Sequence, residues 1–533
     1  MNSKVLTVRE ATLGVLRSFG VDRVFGNPGS TELAFLGDWP DDIDYVLGLQ
    51  EACVVGMADG YAQATGRAAF VNLHSAAGLG HALGNLFTAF RNKTPMVVTA
   101  GQQARSLLRM RPYLFSEDAA QFPKPYVKWS AEPARAEDVP AAIAQAFLTA
   151  MQHPRGPTFV SVPSDDWARP ATAPPVRCIA TEFAPDPAAI VRLGAAIRAA
   201  KKPIFVVGPE IDRSGCVDAM VAVAEQASAA VWASPMSSRS SFPELHPLFA
   251  GFLPAAPGGL ARALRGADLI VVVGAPVFTF HVEGQCELLD DGTPVWQITD
   301  DPTEAASASV GDTIISTLPK ALAGLLSAMP GIAEVPAARM RPAVPAAQNP
   351  LPPAYALARL SALMPADAIV VEEAPSHRPA IQQFLPRPGA DSFYTMASGG
   401  LGYSLPASVG VALARPGRRI VALIGDGSAM YCIQAIWTAV QRRLPITFVI
   451  MNNSGYGAMR AFSQLMQAHR PPGIDLPGLD FVALARGMGC PGQRVTDVGD
   501  VDAILTEAFA SSGPALVDIA VDDATTDLFS HPR

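Results

Sequence analysis

Asp426 stands between two glycines, Gly425-Asp426-Gly427, at the end of the apolar run 420–424, and Asn452-Asn453 closes a second apolar run, 446–451. Asn453 lies 27 residues after Asp426. These are the parts of a site for a divalent metal and a diphosphate. Glycines at the carboxyl end of a buried strand let backbone approach phosphate oxygens, while a carboxylate and an amide oxygen are hard ligands suited to Mg²⁺. A helix predicted over 428–443 would point its amino terminus at the anion.

A GDG followed at this distance by NN, with one helix between two strands, resembles the signature of the thiamine diphosphate (ThDP) enzyme family. The resemblance implies that Asp426 and Asn453 hold Mg²⁺ (or Ca²⁺ in its place) by their side chains, with the Gly455 carbonyl as third ligand. Gly425, Gly427, Ser428 and Tyr456 would line the diphosphate, and Glu373 and Ser376 the cofactor region. In 397–402, Leu401 matches the bulky residue that wedges under the cofactor, and the Gly399 carbonyl would accept from its 4′-amino group. Glu51, after a probable strand and at the start of a helix over 52–65, matches the glutamate that serves the aminopyrimidine. A glutamate at a helix start is by itself an ordinary dipole partner. In the family this glutamate and the diphosphate site come from different subunits, so the resemblance implies at least a homodimer, and most readily a homotetramer.

Three further places bear on substrate. Residues 25–30 form a strand and a Pro-Gly turn presenting Ser30, residues 72–78 repeat that layout with His74, and 274–281 bring His281. Taken singly, each histidine reads equally as a packing or surface residue, and each serine as a helix cap. Together they resemble the benzoylformate decarboxylases within the ThDP family, and the likeness extends over essentially the whole chain, including 49–56, 99–103 and 127–130. It implies that Ser30 binds the carboxylate of a 2-keto acid and that His74 and His281 move protons before and after loss of CO₂, in an order left open. Leu114 and Phe462 keep apolar walls. Thr395, Pro375 and Met430 depart from the phenylalanine, threonine and asparagine of those enzymes, which loosens the aryl preference. Carboligation of the acetolactate synthase kind is the nearest alternative activity, and a catalytically silent ThDP-fold subunit the alternative outside catalysis. Of the remaining histidines, His153, His246, His469 and His531 read as surface residues, His81 as a packing or capping residue, and His377 is left undecided beside Glu373.

The elements that must position these residues are β-branched runs alternating with Ala-rich helical stretches, the βαβα pattern of parallel sheets covered on both faces. Pro/Ala-rich stretches at 169–187 and 330–353 divide the chain into three doubly wound α/β domains: 1–170 for the pyrimidine, a central Rossmann-like domain at 187–329, and 350–533 for the diphosphate and metal. The first and third suggest structural duplicates. The strands 203–208 and 269–274 each end in glycine, but neither opens a full G-x-G-x-x-G, so the central domain reads as structural as readily as nucleotide-binding.

Bulk properties narrow the class. The chain has 533 residues, 49% of them apolar and 17% charged, with a formal net charge of −8. It gathers no basic face, which speaks against nucleic acid or an anionic membrane as partner and for a small molecule. Six cysteines without C-x-x-C spacing read as free thiols in a reducing compartment. An early charged residue at the amino terminus and the lack of a long apolar run lead to a cytoplasmic protein as the expectation.

Overall fold

The β-branched runs become strands whose central members are buried over nearly their whole length, as a parallel sheet sandwiched between helices requires, while edge strands such as Trp129–Ala131 and Asp312–Ile315 are partly exposed. In the computed structural model, which describes residues 5–175, 177–329, 342–524 and 528, they form three six-stranded sheets in which every pairing is parallel.

In space the first sheet runs Asp44–Leu47, Arg23–Gly26, Ala69–Leu73, Met96–Gln102, Pro157–Pro163, Trp129–Ala131. The third runs Phe393–Thr395, Ile369–Glu373, Ile420–Gly425, Ile446–Asn452, Ala515–Ala520, Gly492–Val495. Numbered by chain order within each sheet, both read 2-1-3-4-6-5. The shared permutation makes the first and third units topological duplicates. The middle sheet, from Phe249–Phe252 through Ala230–Ala233, Pro203–Val207, Leu269–Val273 and Val295–Thr299 to Asp312–Ile315, reads 3-2-1-4-5-6, the doubly wound order of dinucleotide folds. Residues 172–186, as far as described, form no helix or strand; residues 330–341 of the second predicted linker, and His531, lie outside the described residues.

Where the order reverses, between strands 1 and 3, successive loops leave in opposite directions and open a crevice at the carboxyl ends. In the first sheet those ends carry 27–30 and His74; in the third they carry 374–376 and Asp426. The two units are locked together by the helices Glu51–Thr65 and Ser404–Ala414, buried along most of their length. A Cβ added at Gly410 would stand 1.9 Å from the Met57 carbonyl oxygen, and one at Gly60 2.2 Å from that of Ala407. The helices therefore cross at backbone contact, which only glycine permits.

The single helix predicted over 428–443 is broken. Asp426–Ala429 makes one turn and Ala435–Gln441 resumes the helix, while Tyr431 and Ala435 make tight turns to the carbonyls of Ser428 and Cys432. Tyr431 and Cys432 press against Gly402, and that packing takes precedence over helical continuity. None of the six cysteines is disulfide-bonded. Among the described residues no helix is long and apolar enough to cross a membrane.

Candidate active site

The diphosphate end is built on neighbouring strands. Gly425 pairs in register with Met451, so Asp426 and Asn452-Asn453 leave the sheet side by side. Asp426 is buried, and its two oxygens accept the Gly427 amide at 2.8 Å and the Gly455 amide at 2.9 Å. Burial raises its pKa, outweighing those two donors, and a cation beside it would favour the charged carboxylate. The two asparagines differ. Asn452 donates to Asp518 at 2.9 Å and accepts from the Ser454 amide, so it serves the fold; no hydrogen bond among the described residues engages the Asn453 side chain. A Cβ at Gly427 would stand 2.3 Å from the Tyr456 ring, which holds that glycine as part of the cradle. Among the described residues no three His, Cys, Asp or Glu side chains cluster as a metal site. One carboxylate, one amide and one carbonyl fit a hard cation that keeps phosphate and water oxygens as its other ligands. Ser428, next in the turn, is buried.

Glu373 was expected to line the cofactor, but its carboxylate is taken up by the fold. It accepts the amides of Gly402, Tyr403 and Ser404, each at 2.7 Å. Burial pushes its pKa up to about 7, against the pull of those three amides. Its work is to shape the loop that carries Gly399 and Leu401; Gly399 sits at φ 75° with open space around it, and Leu401 packs half-buried on the core. Ser376 accepts the Ala458 amide at 3.0 Å, tying the Pro375–His377 turn to the helix Gly457–Leu465.

In the first unit, Glu51 is the first residue of its helix, capped by the Gln50 side chain. Its Oε1 accepts from Asn27 at 3.1 Å and its Oε2 lies 3.1 Å from His81 Nδ1. His81 is thus neither a packing nor a capping residue. His74 faces Glu32, which sequence reasoning missed: Nδ1 lies 2.8 Å from Glu32 Oε2, and Glu32 is 1% exposed. Thr31 Oγ1 is 2.6 Å from Glu32 Oε1 and 3.1 Å from His74 Nδ1. The hydroxyl has one proton and spends it on the carboxylate, so toward the ring it only accepts. Nδ1 therefore carries the hydrogen and Nε2 is the free nitrogen. Glu32 also accepts the amides of Gly29 and Gly101, and the turn ending in exposed Ser30 lies against the His74 ring through Gly29.

The pocket residues are spread over all three units. His281 is exposed and meets Phe462 edge-on at 4.8 Å between ring centres, joining the middle and third units. Leu114 is 44% exposed in the loop after the strand Met96–Gln102. Pro375 is half-buried. Thr395 is fully buried, its hydroxyl accepting from Arg378 at 3.3 Å and donating to the Met396 sulfur; Arg378 in turn pairs with buried Glu372 at 2.7 Å. A phenylalanine at 395 would have to displace Arg378. His153, expected at the surface, instead lies between the first and middle units, 2.5 Å from Asp300 and about as buried. His246 is half-buried and pairs with Glu225, whereas His469 is exposed. His377 is buried, and among the described residues neither ring nitrogen has a hydrogen-bond partner.

Three domain descriptions match the chain in succession: the thiamine pyrophosphate enzyme N-terminal TPP binding domain over residues 6–122, its central domain over 190–325, and its C-terminal TPP binding domain over 374–519. Thiamine pyrophosphate is ThDP under its other name. Benzoylformate decarboxylase of Pseudomonas aeruginosa is 43% identical over 519 residues, 96% of this chain and 98% of that protein. The crystal structure of benzoylformate decarboxylase from Polynucleobacter necessarius superposes with a TM-score of 0.94 at 40% identity, covering 98% of this chain and 99% of that one. The ThDP-dependent 4-hydroxybenzoylformate decarboxylase of Rhodococcus jostii RHA1 gives a TM-score of 0.94 at 41% identity, covering 98% and 100%. With the metal-and-diphosphate cradle, the duplicated sheets and these full-length likenesses in agreement, the chain belongs to the thiamine pyrophosphate enzyme family.

Proposed function

We propose that the protein is a ThDP- and Mg²⁺-dependent decarboxylase of aromatic 2-keto acids, converting benzoylformate to benzaldehyde and CO₂. When bound, ThDP supplies the carbon nucleophile and the electron sink that decarboxylation needs. In this reading Asp426, Asn453 and the Gly455 carbonyl hold the metal, with Gly425, Gly427, Ser428 and Tyr456 around the diphosphate. Gly399 and Leu401 set the cofactor's shape and Glu51 serves its aminopyrimidine. Ser30 receives the substrate carboxylate, Leu114, Pro375, Thr395 and Phe462 wall the side chain, and His74 and His281 move protons to and from the reacting atoms.

The observation that carries decarboxylation over carboligation is the pair of histidines. His74 is held in one tautomer by Glu32, and His281 is fixed edge-on against Phe462. Two imidazoles, if the assembly brings them to one site, would suit protonation of the carbon that loses CO₂. The hydrogen bonds of Glu51 stay within the first unit and those of Asp426 within the third. The two parts lie in the matched N-terminal and C-terminal TPP binding domains, which is compatible with a homo-oligomer with shared sites; the reading is a dimer of dimers in a cytoplasmic enzyme. Met110, Tyr113, Leu114, Met459 and Met466, all exposed in the isolated chain, offer apolar surface for such contacts.

The test is to supply ThDP and Mg²⁺ and follow consumption of benzoylformate, 4-hydroxybenzoylformate, pyruvate and a branched 2-keto acid, with products separated by chromatography. Benzaldehyde from benzoylformate as the preferred reaction is expected. Turnover confined to aliphatic acids would remove the aryl assignment, and hydroxyketone as the main product would replace decarboxylation by carboligation.

A further inference from the structure

The Glu51 carboxylate is held from two sides by residues of different elements. Asn27, in the turn after the strand Arg23–Gly26, donates to Oε1 at 3.1 Å. His81, on the helix Ser75–Arg91, places Nδ1 3.1 Å from Oε2. Gly78 lies three residues earlier on the same face of that helix, and a Cβ there would come within 3.2 Å of Glu51 Cγ and Oε1. The helix is therefore shaped to let Glu51 reach His81. The His81 side chain is 63% exposed while that of Glu51 is 11% exposed. An imidazole so open packs no core, and the Glu51 contact is its one side-chain hydrogen bond among the described residues.

A glutamate has three rotatable bonds, and a single donor on one oxygen restrains the last of them only as strongly as one hydrogen bond. A second donor on the other oxygen adds to that restraint. We propose that His81 is a positioning residue for Glu51: Nδ1–H fixes Oε2 while Asn27 fixes Oε1, and the carboxyl meets the cofactor in one orientation. The inference rests on the reading of Glu51 given under Proposed function.

An asparagine amide nitrogen occupies nearly the place of Nδ1 and can donate to Oε2, whereas alanine cannot. The experiment compares His81→Ala, His81→Asn and Glu51→Gln in the full-length protein, measuring kcat, KM for benzoylformate, ThDP affinity by quenching of intrinsic fluorescence, and melting temperature. His81→Ala is expected to lower kcat roughly tenfold and to weaken ThDP binding roughly threefold, with KM and melting temperature unchanged. His81→Asn should bring both back to within about twofold of the parent protein. Parent-like kcat and ThDP affinity in His81→Ala, or an asparagine variant no better than the alanine one, overturns the proposal. Full turnover in Glu51→Gln would instead bring down the role of Glu51 itself, so the two failures are told apart.

Discussion

Glu32 fixes the proton of His74 on Nδ1 and leaves Nε2 free, the orientation in which the proposed proton transfer would use Nε2. Glu32→Gln replaces an acceptor by an amide that can donate to Nδ1, reversing the tautomer. A loss of about 10–100-fold in kcat is expected, the size typical of removing the partner that orients a functional imidazole, and steady-state kinetics at pH 7 checks it. His377 bears on stability instead. Burial pushes its pKa down to about 4 from 6.5, so between those values the unfolded chain binds a proton that the folded one refuses. Its contribution to stability is therefore lost as pH falls from 6.5 toward 4, up to about 3 kcal/mol. Glu373, raised from 4.5 to about 7, runs the other way: the folded state keeps a proton that the unfolded one releases, so acid favours the fold across that window. His377→Phe removes one of two opposing slopes. Its melting temperature relative to the parent should rise between pH 7.5 and pH 5, and a constant difference would refute the assignment. At this scale residue type and spacing single out candidates, Asp426, Asn453, Glu51 and His74 among them. They do not single out Glu32 or the contact of His81, because these depend on partners 42 and 30 residues away and a buried carboxylate looks like any other glutamate in a string.

At the scale of elements, strand runs such as 420–424 and 446–451 were legible because burial on both faces demands unbroken apolar sequence. The helix over 428–443 was misread for the complementary reason: its composition is helical throughout, and the break comes from the fit of Tyr431 and Cys432 against Gly402, a constraint set by another element. The crossing of Glu51–Thr65 with Ser404–Ala414 was likewise invisible, although it fixes how the two cofactor-binding units face each other. A methyl group at Gly410 would push into the Met57 carbonyl at 1.9 Å and force the helices apart. Gly410→Ala should destabilise by about 1–3 kcal/mol, as overpacking of a tight contact does. Gly14, in the helix Val8–Ser18, has nothing within 4 Å of its Cβ position, so Gly14→Ala should stabilise by about 0.5–1 kcal/mol through helix propensity alone. Thermal melts of the two variants should therefore move in opposite directions; a Gly410→Ala protein melting with or above the parent would show that the helices separate at no cost.

At the scale of the molecule, the identical 2-1-3-4-6-5 order of the first and third sheets means that one chain carries two related halves, each with a crevice at its own reversal point. Glu51 finds its hydrogen-bond partners in one half and Asp426 in the other. If each site takes Glu51 from one subunit and Asp426 from its partner, two inactive chains can complement. Glu51→Ala and Asp426→Ala proteins should each lose turnover by orders of magnitude when expressed alone. In a mixed dimer, one site combines both lesions and the other combines neither, since the Asp426→Ala chain contributes an intact Glu51 and the Glu51→Ala chain an intact Asp426. With random pairing half of the dimers are mixed and half of their sites are whole, so co-expression at equal levels should recover about a quarter of the parent activity per chain, as two-fold symmetric assembly dictates. A site formed within one chain would recover nothing, because every chain carries a lesion. The recovered activity should also fall on dilution to concentrations where the dimer dissociates, which ties the catalytic unit to the assembly and not to the single chain.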